Sequence, residues 1–526
     1  MKKLLRFAPF LLLALFITAC NEKITDILSP NEAPHTFMSL MPDGDISKQP
    51  SKLKVSWWGD DPDGLVVGYY FSWDDVHWSY TTKNDSVFAL KIGASDVSYN
   101  FKVAAVDNGG NGVYDNSVVQ NGIDFGPEPF VDQNGDGKYT PGEKFYDIGL
   151  IDPKPASLKY PLKNSAPQLE FNQLTTLPEV SYPVMTLGWD ASDVDGVETI
   201  VKINIALNDT TKFVTLPGNT RLVMLRMKDF NTSGAQTEIL INASEGNIYS
   251  QKLDGFKLND YNKVYIQAED ISGAKSAFTA LPSESRKWYV KKPAGSVLII
   301  DDNKSDPAAA DFFKNVFNTM HGGALANKYE VWDISANKVP YENVTFLETI
   351  KFFKYIFWYS DDAPNLNEAS ISSRKFIDLG GKIAFSMPLP EKIDKSVSAA
   401  ENSLLLNNLL KSFLPVDSVG STYKKDYLTT LFSSNGKVTG INSLYPDLKI
   451  ITSIYSVRSI YPKESYSVPI YNLETTQLSG NKIIGVRDLE KKLFFIALPL
   501  AKADGNQGNV KLLLEKIFFE DFGLSL

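Results

Sequence analysis

The chain has 526 residues, with 62 Asp and Glu against 53 Lys and Arg, and a formal net charge of −9. It has no run of Lys and Arg, and so lacks the clustered cations that nucleic acid or an anionic headgroup surface demands; no nucleic-acid partner is expected. A single cysteine, Cys20, excludes disulfides and thiolate metal centres, so the fold must rest on apolar burial shared among several domains.

Lys2, Lys3 and Arg6 open a leader whose apolar stretch, Phe7 to Ala19, is too short to span a bilayer but suits a signal peptide. It closes on Ile17-Thr18-Ala19-Cys20, which resembles the lipobox of bacterial lipoproteins. The resemblance implies cleavage before Cys20, acylation of that residue, and a lipid anchor in place of a transmembrane helix. The implied location is the cell envelope, at the outer membrane. An ordinary signal with an accidental cysteine is the alternative. Residues 21–34 are polar, carry Pro30 and Pro34, and read as a tether.

An internal repeat follows. The first copy holds Trp57-Trp58-Gly59-Asp60-Asp61-Pro62-Asp63-Gly64 and, later, Tyr99 to Asp107; the second holds Trp189-Asp190-Ala191-Ser192-Asp193-Val194-Asp195-Gly196 and Val264 to Asp270. Each has a Trp-bearing alternating strand, an Asp-x-Asp-Gly turn and a late strand ending on Asp, which predicts two antiparallel β-sandwiches over residues 35–120 and 165–293. Both copies resemble fibronectin type III or immunoglobulin-like domains, which implies that Trp57 or Trp58, and Trp189, enter the cores. Asp60, Asp61 and Asp63, with Asp190, Asp193 and Asp195, are ordinary turn residues that also offer oxygens to calcium. Trp73, Trp78 and Tyr80 fit a core better than an aromatic sugar- or protein-binding face.

Residues 121–164 read as a Gly-, Pro- and Asp-rich connector between the sandwiches. It contains Asp132-Gln133-Asn134-Gly135-Asp136-Gly137-Lys138-Tyr139-Thr140-Pro141-Gly142-Glu143, which has the spacing of an EF-hand loop. Asp132, Asn134, Asp136 and Glu143 would supply side-chain oxygens and Lys138 its carbonyl, a hard-oxygen set suited to calcium as cofactor. Gly126-Pro127-Glu128-Pro129 and Pro141-Gly142 exclude the flanking helices of a sensor. The loop resembles the lone calcium loops of secreted bacterial proteins; an acidic turn without metal is the alternative.

From Ser296 the pattern changes. Apolar strands at Val297 to Ile300, Tyr329 to Ile334, Tyr355 to Tyr359, Lys382 to Phe385 and Leu493 to Leu498 alternate with helical stretches, among them Pro307 to Met320. This predicts an α/β domain over residues 294–526 with a mainly parallel sheet. Val297 to Asp302, Tyr355 to Asp362 and the helix running into Gly380-Gly381 and Ser386 resemble the class I glutamine amidotransferase-like fold. That family places a nucleophilic cysteine at the turn where this chain has Ser386, and a histidine later; here no histidine follows His321. A serine without a base is a weak nucleophile, so the domain is expected to be non-catalytic. Asp301 and Asp302 also resemble receiver-domain acids, with Lys502 as partner. Together with Asp361, Asp362 and Ser386 they mark a possible ligand pocket at the carboxyl ends of the strands. His35, His77 and His321 are scattered, which argues against zinc.

The expected molecule is a multidomain lipoprotein: two sandwiches, a calcium loop and an α/β domain of amidotransferase or flavodoxin type. It would act as a non-catalytic binding or structural module toward a protein or glycan ligand. The rival is an extracytoplasmic hydrolase of glycans or peptides.

Overall fold

A computed structural model describes residues 30–40, 52–90, 97–162, 165–361, 363–421 and 424–525. The leader, Cys20 and Asp362 lie outside the described residues. The chain divides into two compact units, Met1–Ser165 with Val194–Gly196, and Ala166–Asp193 with Val197–Leu526.

In the first unit a three-stranded sheet combines β1 (His35–Leu40), β2 (Lys52–Asp60) and β5 (Asp85–Ala89) in the order β1-β2-β5. It faces a four-stranded sheet of β3 (Val66–Ser72), β4 (Trp78–Thr81), β6 (Val97–Asp107) and β7 (Ala156–Leu162), ordered β4-β3-β6-β7. Period-two alternation turns Leu53, Val55 and Trp57 of β2 inward against Tyr69, Phe101, Val103 and Tyr160. Trp57 is 1% exposed and Trp58 48%. Trp57, not Trp58, is therefore the core tryptophan.

The first sandwich does not end near residue 120, nor is 121–164 a connector. Its last strand, β7, lies within that stretch and pairs with β6 from Val97↔Leu162 to Val103↔Ala156. Residues 108–155 are thus an insertion between two neighbouring strands of one sheet. The insertion folds back over the outer face of that sheet, where Val118, Phe125, Ile148 and Ile151 cover Tyr70, Ala104 and Val106. This explains why Tyr69 and Tyr70, on opposite faces of β3, are both buried.

The second unit begins with another sandwich. Its strands are β8 (Gln168–Phe171), β9 (Val184–Ser192), β10 (Ile200–Leu207), β11 (Phe213–Pro217), β12 (Leu222–Arg226), β13 (Gln236–Ile241), β14 (Leu253–Asp254), β15 (Val264–Asp270) and β16 (Thr279–Leu281). They form sheets ordered β8-β9-β12-β13-β14 and β11-β10-β15-β16. Trp189 is 1% exposed, and its Nε1 donates to the Thr220 carbonyl at 2.9 Å.

The α/β part opens with β17 (Val297–Asp302) and α1 (Pro307–Thr319), followed by β18 (Tyr329–Asp333), α2 (Glu342–Ile350), β19 (Tyr355–Ser360), α3 (Leu366–Asp378), β20 (Lys382–Ser386) and α4 (Ala399–Phe413). Then come β21 (Lys437–Gly440), β22 (Leu448–Lys449), β23 (Ser467–Glu474), β24 (Ile483–Asp488), β25 (Leu493–Ile496) and α5 (Asn509–Glu515). A nine-stranded sheet runs β18-β17-β19-β20-β25-β24-β23-β21-β22. Its first five strands are parallel, but every pairing beyond β25 is antiparallel, so the sheet is mixed rather than mainly parallel. Alternate residues of β17 and β19 feed two cores. Val297, Ile299 and Phe357 meet α1 and α5, while Leu298, Ile300, Ile356 and Trp358 meet α2, α3 and α4.

The second sandwich and the α/β part are bonded into one body. Val184, Met224 and Leu240 on the sandwich's outer face pack against Val344 and Phe352 from α2 and its end. Gly188 admits the Tyr341 hydroxyl, which would lie 2.0 Å from a Cβ there. Arg226 of β12 is 2% exposed and pairs with Glu238 at 3.1 Å, Glu245 at 2.8 Å and Glu348 of α2 at 2.6 Å. Lys351 closes the network through Glu245 and Glu348.

Candidate functional site

Two places carry the predicted site residues, one in each unit. In the first, residues 132–143 form a closed loop without flanking helices. Its base is an antiparallel bridge between Phe130 and Phe145, reinforced by Val131 N–H donating to the Lys144 carbonyl at 2.8 Å. Asp132 accepts the N–H of Gly135 at 2.6 Å and of Gly137 at 2.8 Å, and these bonds, Gly137's first, hold its carboxyl below the usual range. Asn134 Oδ1 accepts Asp136 N–H at 2.9 Å, and Asp136 Oδ1 accepts Lys138 N–H at 2.8 Å. Glu143 reaches across the loop, accepting Gln133 N–H and Thr140 N–H, each at 2.9 Å. Gly135 and Gly137 sit at φ +76° and +71°, where a side chain would be strained.

The five predicted ligand residues therefore share one small loop, and its hard oxygens fit calcium. Among the described residues no group of three or more His, Cys, Asp or Glu is assembled as a metal cluster. The loop's oxygen set includes the Asn134 amide and the Lys138 carbonyl besides carboxylates.

Sequence reasoning missed what holds the loop in place. Tyr139 stacks on Tyr114 at 3.8 Å with Phe130 and Phe145 edge-on to both rings. Glu128, read only as part of a helix-excluding flank, is 1% exposed; it accepts Asp115 N–H at 2.9 Å and Ile148 N–H at 2.7 Å. A lone Glu between two prolines is the one signal that pointed there. Trp78 and Tyr80 lie under the insertion, against Phe125 and Tyr146, while Trp73 packs on Phe101 in the inner core. None of the three builds an exposed binding face.

The late-strand aspartates of the repeat have a common use. Asp107 accepts Gly109 N–H at 2.7 Å and Asp270 accepts Ser272 N–H at 2.9 Å, each turning the chain after its strand. In the Asp-x-Asp-Gly turn of the first copy, Asp63 accepts Glu32 N–H at 3.2 Å, and burial pushes the Asp61 carboxyl up.

In the second unit, Asp301, Asp302, Asp361 and Ser386 lie at the carboxyl ends of β17, β19 and β20. The acids brace each other's loops. Asp302, at the end of β17, accepts Asn365 N–H at 2.6 Å beyond β19; Asp361, just past β19, accepts Lys304 and Ser305 N–H at 2.7 Å beyond β17. Asp301 accepts Asn303 N–H at 3.0 Å. Burial pushes Asp302 up to about 6; burial also acts on Asp361, but the Ser305 hydroxyl and the N–H groups of Lys304, Ala363 and Ser305 outweigh it and hold that carboxyl below the usual range. Ser386 is fully buried; its hydroxyl donates to the Leu498 carbonyl at 3.0 Å and accepts Leu500 N–H at 2.9 Å. Past it, Met387 N–H donates to Ile496 at 3.0 Å, so the chain continues along its neighbour where a nucleophile elbow would turn. A cavity of about 120 Å³ is bordered by Asn303, Ser305, Tyr359, Asp361, Ser386 and Lys502; of the predicted pocket residues Asp361 and Ser386 line it, whereas Asp301 and Asp302 do not. His77 pairs with Asp74 at 2.6 Å and His321 stacks on Phe519 at 4.6 Å, so these two histidines serve separate local contacts.

No protein-family model and no curated protein matches the chain. Among solved structures it is similar to the fibronectin(III)-like modules of Clostridium thermocellum CbhA, at 11% identity over 49% of this chain and 95% of that one, with a TM-score of 0.15. It is also similar to a two-domain fibronectin type III segment of chicken tenascin, at 10% identity over 47% of this chain and 97% of that one, TM-score 0.19. Superpositions this loose carry no argument; the sandwich description stands on the strand pairings.

Proposed function

We propose that this chain is a lipid-anchored protein of a bacterial outer membrane, acting as a non-catalytic binding or structural module. Its sandwiches are fibronectin type III or immunoglobulin-like, and its α/β part is a degenerate amidotransferase-like domain. Calcium, held by Asp132, Asn134, Asp136, the Lys138 carbonyl and Glu143, orders the insertion of the first sandwich. The lipid is carried by Cys20, in keeping with the leader; no helix among the described residues is long and apolar enough to cross a membrane.

The observation that carries the non-catalytic reading is the state of Ser386. Nucleophilic serines need a base within hydrogen-bond reach and an exposed Oγ. Here both hydrogen-bonding roles of the hydroxyl are taken by the backbone of residues 498 and 500, and the neighbouring carboxylates hold backbone N–H groups. A fluorophosphonate probe, which phosphonylates activated serines, tests this on the purified full-length protein. No labelling of Ser386 is expected; labelling abolished by Ser386→Ala would establish the rival hydrolase.

A further inference from the structure

The outer face of the sheet β1-β2-β5 carries an arrangement that the core does not require. The strands' inward residues, Leu53, Val55 and Trp57, already fill the sandwich. On the opposite face the register sets Phe37 directly across from Trp58. Both are about half exposed, at 45% and 48%, and their rings lie 5.6 Å apart and within 17° of parallel. Scattered exposed apolar residues are ordinary; two aromatic rings stacked across a strand pair, each still half exposed, form a concentrated aromatic patch.

Polar rows flank this patch on both sides. His35 stands across from Asp60 on one side, and Ser39 from Ser56, itself paired with Asp85, on the other. Lys54 completes that side through an ion pair with Asp85 at 3.1 Å. Outward rows of a strand repeat about every 7 Å, so the polar–aromatic–polar stripe runs for about 14 Å along a rigid sheet.

We infer that this face binds a neutral glycan, a chain of pyranose rings seated on Phe37 and Trp58. A pyranose presents a face of C–H bonds, which suits the electron-rich face of an aromatic ring, and an edge of hydroxyls. Side chains of the His35–Asp60 and Ser39–Ser56–Asp85 rows supply both donors and acceptors for that edge. The charges on the rim are of both signs, Lys54 against Asp60 and Asp85, which does not favour a polyanion. The two half-exposed rings and Val87, across from Lys54 on β5 and 63% exposed, offer only about 300 Å² of apolar area, against the roughly 800 Å² per partner of a stable protein interface, so a second copy or another protein is poorly served. The inference gives the binding reading above a ligand class, and depends on the first sandwich alone.

Affinity electrophoresis of the purified full-length protein in detergent, through native gels cast with a soluble β-glucan, an α-glucan or a xylan, tests it. A neutral polysaccharide is expected to retard the wild type. Trp58→Ala and Phe37→Ala should each weaken that retardation tenfold or more, Trp58→Phe should keep most of it, and Phe213→Ala, which removes an exposed ring from the second sandwich, should leave it unchanged. Unaltered melting of Trp58→Ala, whose ring lies outside the core, separates lost binding from lost folding. Three results would each overturn the inference: no neutral polysaccharide retards the wild type, Trp58→Ala is retarded equally, or retardation occurs only with a sulfated polymer. Self-association of the wild type that Trp58→Ala abolishes would overturn it as well, by making a second copy the occupant. These outcomes are independent of Ser386 labelling, which tests the preceding reading.

Discussion

At the residue scale, the carboxylates of Glu128, Glu143, Asp302 and Asp361 satisfy backbone N–H groups, and Glu368 is the instructive contrast. It is 3% exposed on α3, its Oε1 has no hydrogen-bond partner among the described residues, and burial, with Glu342 adding, pushes it up to about 7. Its folded value exceeds the unfolded one, so the folded protein holds the proton more tightly. The associated stability is full below about pH 4.5 and is lost as pH rises through about 7. Glu368→Gln keeps the shape and removes the charge. It should raise the melting temperature at pH 8 by several degrees, on the order of 2 kcal/mol, and change little at pH 4.5, as scanning calorimetry at the two pH values will show. The candidate acids at 301, 302 and 361 were legible as strand-end residues because apolar runs terminate on them. Their exchange of loops was not, since it depends on which strands are neighbours, and β17 and β19 are separated in sequence by β18.

At the element scale, strands with continuous apolar runs and helices with Pro or Gly at their ends were readable. Val297–Asp302, Tyr355–Ser360 and α1 (Pro307–Thr319) fall within a residue or two of expectation. The antiparallel half of the large sheet was not readable, because Lys437–Gly440 and Ser467–Glu474 are short or mostly polar and owe their pairing to tertiary context. The connector was misplaced for a related reason: a strand following a long Gly- and Pro-rich stretch looks like the start of a new domain, yet β7 returns to β6. The loop proposed to hold calcium therefore belongs to the insertion of the first sandwich rather than to a linker between sandwiches. Calcium should protect the loop from limited proteolysis near Asn134 in proportion to occupancy, and Asp136→Ala/Glu143→Gln should be cut alike with calcium or chelator. Cleavage of the wild type that ignores calcium would leave an acidic turn.

At the scale of the whole molecule, Arg226 is the buried cation through which the second sandwich meets α2. Removing it leaves Glu348, 7% exposed, without its closest cation. The second unit of the wild type should melt in one calorimetric transition, and Arg226→Ala should cost about 3–5 kcal/mol and split that transition into two. Arg226→Met, which keeps the packing, should be as severe if the buried Glu348 charge dominates and milder if packing does. Cys20→Ser should release the protein from membranes washed with salt and carbonate; retention of that variant would remove the lipid anchor from the reading. The insertion between β6 and β7 has a further consequence for any protease acting from outside. The chain on either side of residues 132–143 re-enters the same sheet, so a cut there would make two polypeptides that stay hydrogen-bonded along the β6–β7 ladder. Such a nick would show on a denaturing gel but not as dissociation: the severed downstream portion would remain held to the upstream fragment by that ladder and by the packing of Ile148, Ile151 and Tyr160 against upstream residues.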